Sequence, residues 1–168
     1  MDVGASREWG TSERIDAAVT RISIDVEIAR KRRDVWEEIR RIDRHVLWMS
    51  DAQRIDFRSP QREGVGTSFV CVTKIGPFTT RDVMTVTRWD EQTAIGVFHQ
   101  GLFSGRGEFL LTDVGSATRM TWRENLAFPW WCGGPFGASV ARPVLVIIWR
   151  KNLSHLARLL DSDRSNEE

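Results

Sequence analysis

Residues Ala117–Leu160 read ATRMTWRENLAFPWWCGGPFGASVARPVLVIIWRKNLSHLARLL, and two hydrophobic periods meet inside them. From Thr118 to Leu126 the chain alternates. Met120, Trp122, Glu124 and Leu126 share one face, while Thr121, Arg123 and Asn125 share the other. That is a strand with one wet side. After Gly133-Gly134-Pro135 the period changes: Leu145, Trp149, Leu153, Leu156 and Leu160 recur at steps of three or four. This predicts one long helix over about Phe136–Leu160 with a single apolar stripe. Burying five such side chains is worth on the order of 10 kcal/mol, at ~1.5–3 kcal/mol each, so the helix is expected to be docked. Pro143 falls near its first turns, where proline is tolerated or leaves a modest kink.

Upstream of this stretch the alternation is repeated at short intervals. Strands are expected at about Arg54–Arg58, Thr67–Lys74, Phe78–Arg88, Ala94–His99 and Gly105–Thr112. Pro60, Gly64, Gly76-Pro77, Asp90, Gly101 and Asp113–Gly115 supply the turns. Connections this short favour an antiparallel meander, because parallel strands need long crossovers. Further upstream, Ile22, Ile24, Val26 and Ile28 alternate with Arg21, Ser23, Asp25 and Glu27, giving a first strand. Val35, Trp36, Ile39 and Ile42 then mark a short amphipathic helix, and Asp43 is placed to cap a second one carrying Val46, Leu47 and Trp48. The sum is an α+β chain: a curved antiparallel sheet of about seven strands around a long C-terminal helix, with two short helices after strand one. Residues 1–18 read as a flexible arm, 19–162 as one ligand-binding domain and 163–168 as a polar tail.

The totals exclude several function classes. The chain has 168 residues, 41% apolar and 28% charged, which suits one globular domain with a real core. A formal net charge of +1 gives no reason to expect nucleic acid as a partner. Cys71 and Cys132 stand in no metal or redox spacing, and the three histidines are scattered, so no metal and no cofactor are expected. No stretch is long enough to span a bilayer, and nothing resembles a signal peptide, so a cytoplasmic location is the default. Eight tryptophans against no tyrosine suit either the lining of an apolar cavity or the filling of a core.

The order of elements resembles the START/SRPBCC superfamily, which includes polyketide cyclase/dehydrase-like proteins of helix-grip fold. The resemblance runs over about Thr20–Leu160. It is carried by Ile24-Asp25-Val26-Glu27-Ile28 followed by Val35-Trp36 and Trp48, and by Gly64-Val65-Gly66. Gly105-Arg106-Gly107-Glu108-Phe109 with Leu111 follows, then Ala117 to Glu124, Pro129, Gly133-Gly134 and Asn152-Leu153 with Leu156-Ala157. Arg30 stands where many relatives carry proline. The resemblance implies a cavity for a hydrophobic ligand more than it implies any one reaction, so function has to be argued from the site.

Glu124 shares parity with Met120, Trp122 and Leu126 and is expected to look inward. A buried carboxylate is costly unless paired or protonated, so it serves as a general acid or base, or else, near the strand end, reaches water or a structural arginine. Arg142, three residues before Leu145, is the expected partner, able to hold Glu124 or a ligand carboxylate; snorkelling to the rim is the alternative. His99 shares parity with Ile95 and Val97 and is a second acid–base candidate, or a hydrogen-bonded core histidine. His45 and His155 are expected to be solvated. Asp82 and Thr80 share parity with Met84 and Val86 and are expected to line the cavity as acceptors.

Trp122, Trp149, Phe109, Met84, Met120 and Val146 are expected to form the apolar wall. Trp130 and Trp131, between the last strand and the long helix, form a lid, a patch for a partner or membrane surface, or a cap on the core. The basic run Arg30-Lys31-Arg32-Arg33 is interleaved downstream with Asp34, Glu37 and Glu38, which reads as a solvated face.

Three function classes follow. The first is a binding protein for a lipid, isoprenoid or polyketide-like molecule, monomeric or a homodimer. The second is a polyketide cyclase/aromatase or dehydratase moving protons with Glu124, Arg142 or His99. The third is a member that binds a macromolecule, of ribosome or toxin type.

Overall fold

The computed structural model describes residues 19–102, 104–127 and 134–165. Its strands are β1 (Val19–Ile28), β2 (Ala52–Phe57), β3 (Ser68–Ile75), β4 (Phe78–Asp90), β5 (Ala94–Gln100), β6 (Ser104–Val114) and β7 (Ala117–Ala127). They form one antiparallel sheet in the order β1-β7-β6-β5-β4-β3-β2. The meander is as expected from its turns, and the first strand closes against the last. β1 pairs β7 with Ile22 opposite Glu124, Ile24 opposite Trp122 and Val26 opposite Met120. The inward residues of β1 and β7 thus meet as cross-strand neighbours, the unit by which sheets are held.

Helix α1 (Arg32–Ile39) and a 3₁₀ turn (Ile42–Leu47) follow β1. Asp43 makes no cap; it stands in the first turn, and Arg41 occupies the N-cap without a side-chain bond. The 3₁₀ period of three stacks residues i and i+3 on one side. Ile42, His45 and Trp48 are accordingly all buried, which corrects the expectation of a solvated His45. His45 donates from Nε2 to the Ile39 carbonyl at 2.7 Å and packs on Trp48 and Phe109. Trp36 and Trp48 are wholly buried, so these two tryptophans are core.

Helix α2 (Gly134–Ser165) starts earlier and ends later than the stripe predicted, running into the expected tail. Leu145, Trp149, Leu153, Leu156 and Leu160 are all buried in the main core with β1, β6 and β7 residues. One polar residue lies inside that docked face. Asn152 is fully buried; its Oδ1 accepts from Ser50 N–H at 2.9 Å and Ser50 Oγ at 3.0 Å, and its amide donates to Asp51 at 2.6 Å. It fastens the helix to the turn ahead of β2, satisfying groups that burial would otherwise penalise. No helix among the described residues is long and apolar enough to cross a membrane.

Candidate functional site

Between the concave face of the sheet and α2 lies a cavity of about 710 Å³. That is within the range of small-molecule sites, roughly 300–1,000 Å³. Its wall includes Phe109, Trp122, Trp149, Met84, Leu126 and Leu145. Trp122 and Trp149 stack with centroids 5.1 Å apart and planes at 23°, and Phe109 meets Trp122 edge-on at 5.1 Å. Phe78, Val140 and Val144 line the cavity yet are exposed, marking where it reaches the surface. Two expected wall residues are not on it. Met120 is fully buried in the core beneath, and Val146 packs half-buried against that core. Trp130 and Trp131 lie outside the described residues.

The inward parity of Glu124 is observed: its side chain lines the cavity and is 4% exposed. Its Oε1 accepts from Trp122 Nε1 at 2.8 Å, while Oε2 has no hydrogen-bond partner among the described residues. Arg142 is not its partner. That arginine is exposed, off the cavity wall, although counting from Leu145 sets it on the docked stripe. The cavity side of α2 follows the i, i+4 row Gly137, Ala141, Leu145 and Trp149, with Val140 and Val144 beside it, and Arg142 lies off that row.

The group that does face Glu124 is His99, with Nε2 3.5 Å from Oε2. At that separation the two atoms are near neighbours without a hydrogen bond, and Nε2 is likewise unpaired among the described residues. They come from β7 and β5, with β6 between them, a span of about two strand spacings or roughly 9–10 Å. Glycine makes the approach possible. Gly107 is opposite Glu124 on one side and Val97 on the other, and a Cβ there would overlap the Glu124 carboxyl. Gly105 is opposite His99 and Leu126. The bare face of β6 leaves the gap that the carboxyl crosses.

Burial sets the protonation of both groups. Removal from water raises the Glu124 carboxyl from 4.5 to about 7, only partly opposed by the Trp122 bond. The same cause lowers His99 from 6.5 to about 4, against the pull of Asp82. His45, at the cavity's inner wall, is lowered to about 4 by burial as well. Near pH 7 the two histidines are neutral and Glu124 is close to its midpoint. Such a pair can present one proton, one acceptor, or both, to a guest.

Two further carboxyls line the cavity. Asp82, expected from its parity, accepts from Thr80 Oγ1 at 3.0 Å and from Leu102 N–H at 2.8 Å. Asp51, which sequence reasoning missed, is held by Asn152, and burial raises its carboxyl. Its position in a turn carries no periodic signal. Asn152 did have one, as the lone polar side chain beside Leu153 on the docked face. The basic helix pair is compensated in part: Arg44 pairs Glu38, Arg40 pairs Glu37 and Glu63, and Arg32 pairs Asp113.

The sequence matches no protein-family model and no curated protein. Solved structures do resemble the chain. The Zhui aromatase/cyclase from Streptomyces sp. R1128 superposes with a TM-score of 0.72 at 12% identity, over 86% of this chain and 94% of that one. The major latex-like protein 151 from Panax ginseng gives a TM-score of 0.65 at 11% identity, over 83% and 96%. The protein TTHA0849 from Thermus thermophilus gives 0.66 at 14%, over 85% and 95%. These likenesses are of fold: the chain has the helix-grip architecture that its resemblance to START/SRPBCC proteins implied, a seven-stranded sheet folded about a long C-terminal helix.

Proposed function

We propose that this protein binds an apolar small molecule inside the cavity, with Glu124 and His99 orienting one polar group of the guest. The observation that carries the reading is the pair of buried polar atoms, Glu124 Oε2 and His99 Nε2, without partners among the described residues and set in a mainly aromatic and aliphatic wall. A buried polar atom left without a partner costs about 1–3 kcal/mol, so a guest that supplies the partner recovers it. The apolar wall supplies the bulk of affinity at about 25 cal/mol per Å² removed from water. The test is a titration of the purified protein with Nile red, preceded by native mass spectrometry for a co-purifying molecule. Saturable one-to-one binding with quenching of tryptophan emission is expected; non-saturable or absent binding refutes the reading.

A second reading, proton transfer on a polyketide-like chain by a cyclase or dehydratase, is favoured by one observation. The facing groups are displaced in opposite directions, Glu124 up to about 7 and His99 down to about 4. Groups so tuned suit acid and base roles near neutral pH. Under that reading Glu124→Gln lowers turnover by roughly 10²–10⁴-fold with little change in affinity. A variant with unchanged turnover contradicts it.

A further inference from the structure

The cavity carries acid without a counterion. Glu124, Asp82 and Asp51 line it, and among the described lining residues there is no lysine or arginine. The sequence from Phe128 to Ala141 contains no charged residue, and Arg142 beyond it is exposed. Asp82 and Asp51 have their donors within the protein. Glu124 Oε2 has none among the described residues, although the side chain is almost wholly buried. Beside it, the Trp122 indole whose N–H holds Oε1 stacks on Trp149.

Resting on the binding function proposed above, we infer that the preferred guest is an apolar amine, its ammonium group seated on Glu124 beside the Trp122–Trp149 pair. An ammonium supplies donors and no acceptor, so it completes Oε2 and brings the countercharge that a buried carboxylate needs. A guest carboxylate meets the opposite situation: three acidic groups, and no cation to offset its loss of water. An alcohol supplies one donor and no charge.

The pH dependence follows from the groups around Glu124. From β5 it faces His99, with Asp82 of β4 beyond; β1 and β6 present Ile22 and Gly107; the described residues of α2 present only uncharged side chains to the cavity. Glu124 is therefore the group whose ionisation governs the amine, and lowering the pH through about 7 weakens amine binding.

The experiment is calorimetric titration of the full chain at pH 8 with three guests of one apolar body: 2-naphthylmethylamine, 2-naphthalenemethanol and 2-naphthoate. The amine is expected to bind at least tenfold tighter than the alcohol, with naphthoate weakest. Glu124→Gln is expected to bring the amine-to-alcohol affinity ratio to about one, whatever it does to the alcohol itself. Should that variant fail to fold, the wild-type ratio of amine to alcohol affinity serves instead, falling at least tenfold from pH 8 to pH 5.5. An amine no tighter than the alcohol, naphthoate equal to the amine, or a preference insensitive to both Glu124→Gln and pH overturns the inference. Alcohol binding without an amine preference overturns this inference alone and leaves the binding function standing. No binding by any of the three overturns both.

Discussion

Glu124→Gln isolates the energetic consequence of placing a carboxyl on an apolar wall. The residue ordinarily titrates near 4.5 and is raised by burial to about 7 in the folded chain. At about 1.4 kcal/mol per tenfold change in proton affinity, that displacement corresponds to about 3 kcal/mol. The sign follows from proton counting. Between pH 4.5 and 7 the folded state holds a proton that the unfolded state has released, so stability falls as pH rises through this window. Below it Glu124 is neutral in both states, and above it ionised in both, so its contribution is flat at either end. Glutamine keeps the shape and does not titrate. Whatever constant cost its amide brings, the stability of the variant relative to wild type should therefore rise by about 3 kcal/mol from pH 4.5 to pH 8. His45 and His99, both lowered to about 4, act in the opposite direction below pH 6.5, but they are common to the two proteins. Urea unfolding followed by tryptophan fluorescence, at half-unit pH steps, gives the difference directly. Parallel stability curves, with a gap that does not change with pH, would refute the argument that Glu124 is desolvated.

Three further outcomes are expected. Trp149→Ala should destabilise by about 3–5 kcal/mol in chemical denaturation and weaken guest binding, since the ring is both core and cavity wall; unchanged affinity would make it core alone. Asn152→Ala leaves the Ser50 amide and the Asp51 carboxyl without their buried partner and should cost about 1–3 kcal/mol each by the same assay, a loss absent if water replaces the amide. Gly107→Ala pushes a methyl into the Glu124 carboxyl and should cost about 1–3 kcal/mol while moving the titration of Glu124, read by carboxyl NMR; an unmoved titration would show that the glycine is incidental.

How much of this could be read from sequence depended on whether a residue lay on a periodic element. Glu124, His99 and Asp82 were legible because strand parity assigns each a face, and all three line the cavity. Met120 has the same parity as Trp122 but lies deeper, because parity gives the face and not the depth. Arg142 was misplaced because it was counted three residues back from Leu145, whereas the cavity row runs back in fours through Ala141 and Gly137. His45 was misjudged because a 3₁₀ turn repeats every three residues, bringing it into line with Ile42. The pairing of Glu124 with His99 had a signal that went unread. Gly107 shares parity with Phe109 and Leu111, and an inward glycine between larger residues leaves a gap for a side chain from a neighbouring strand. Asp51 sits in a turn, where no period applies.

The account stands or falls on guest binding within the sheet–helix cavity, and filling that space tests it most directly. Val97 lies half-buried on the wall opposite Gly107, so Val97→Trp puts an indole where the guest would sit. With the fold verified by circular dichroism, Nile red titration should show one saturable site in the wild type and at least a tenfold loss of affinity in the variant. Equal affinity and stoichiometry in both proteins would place the dye on the surface and contradict the central claim.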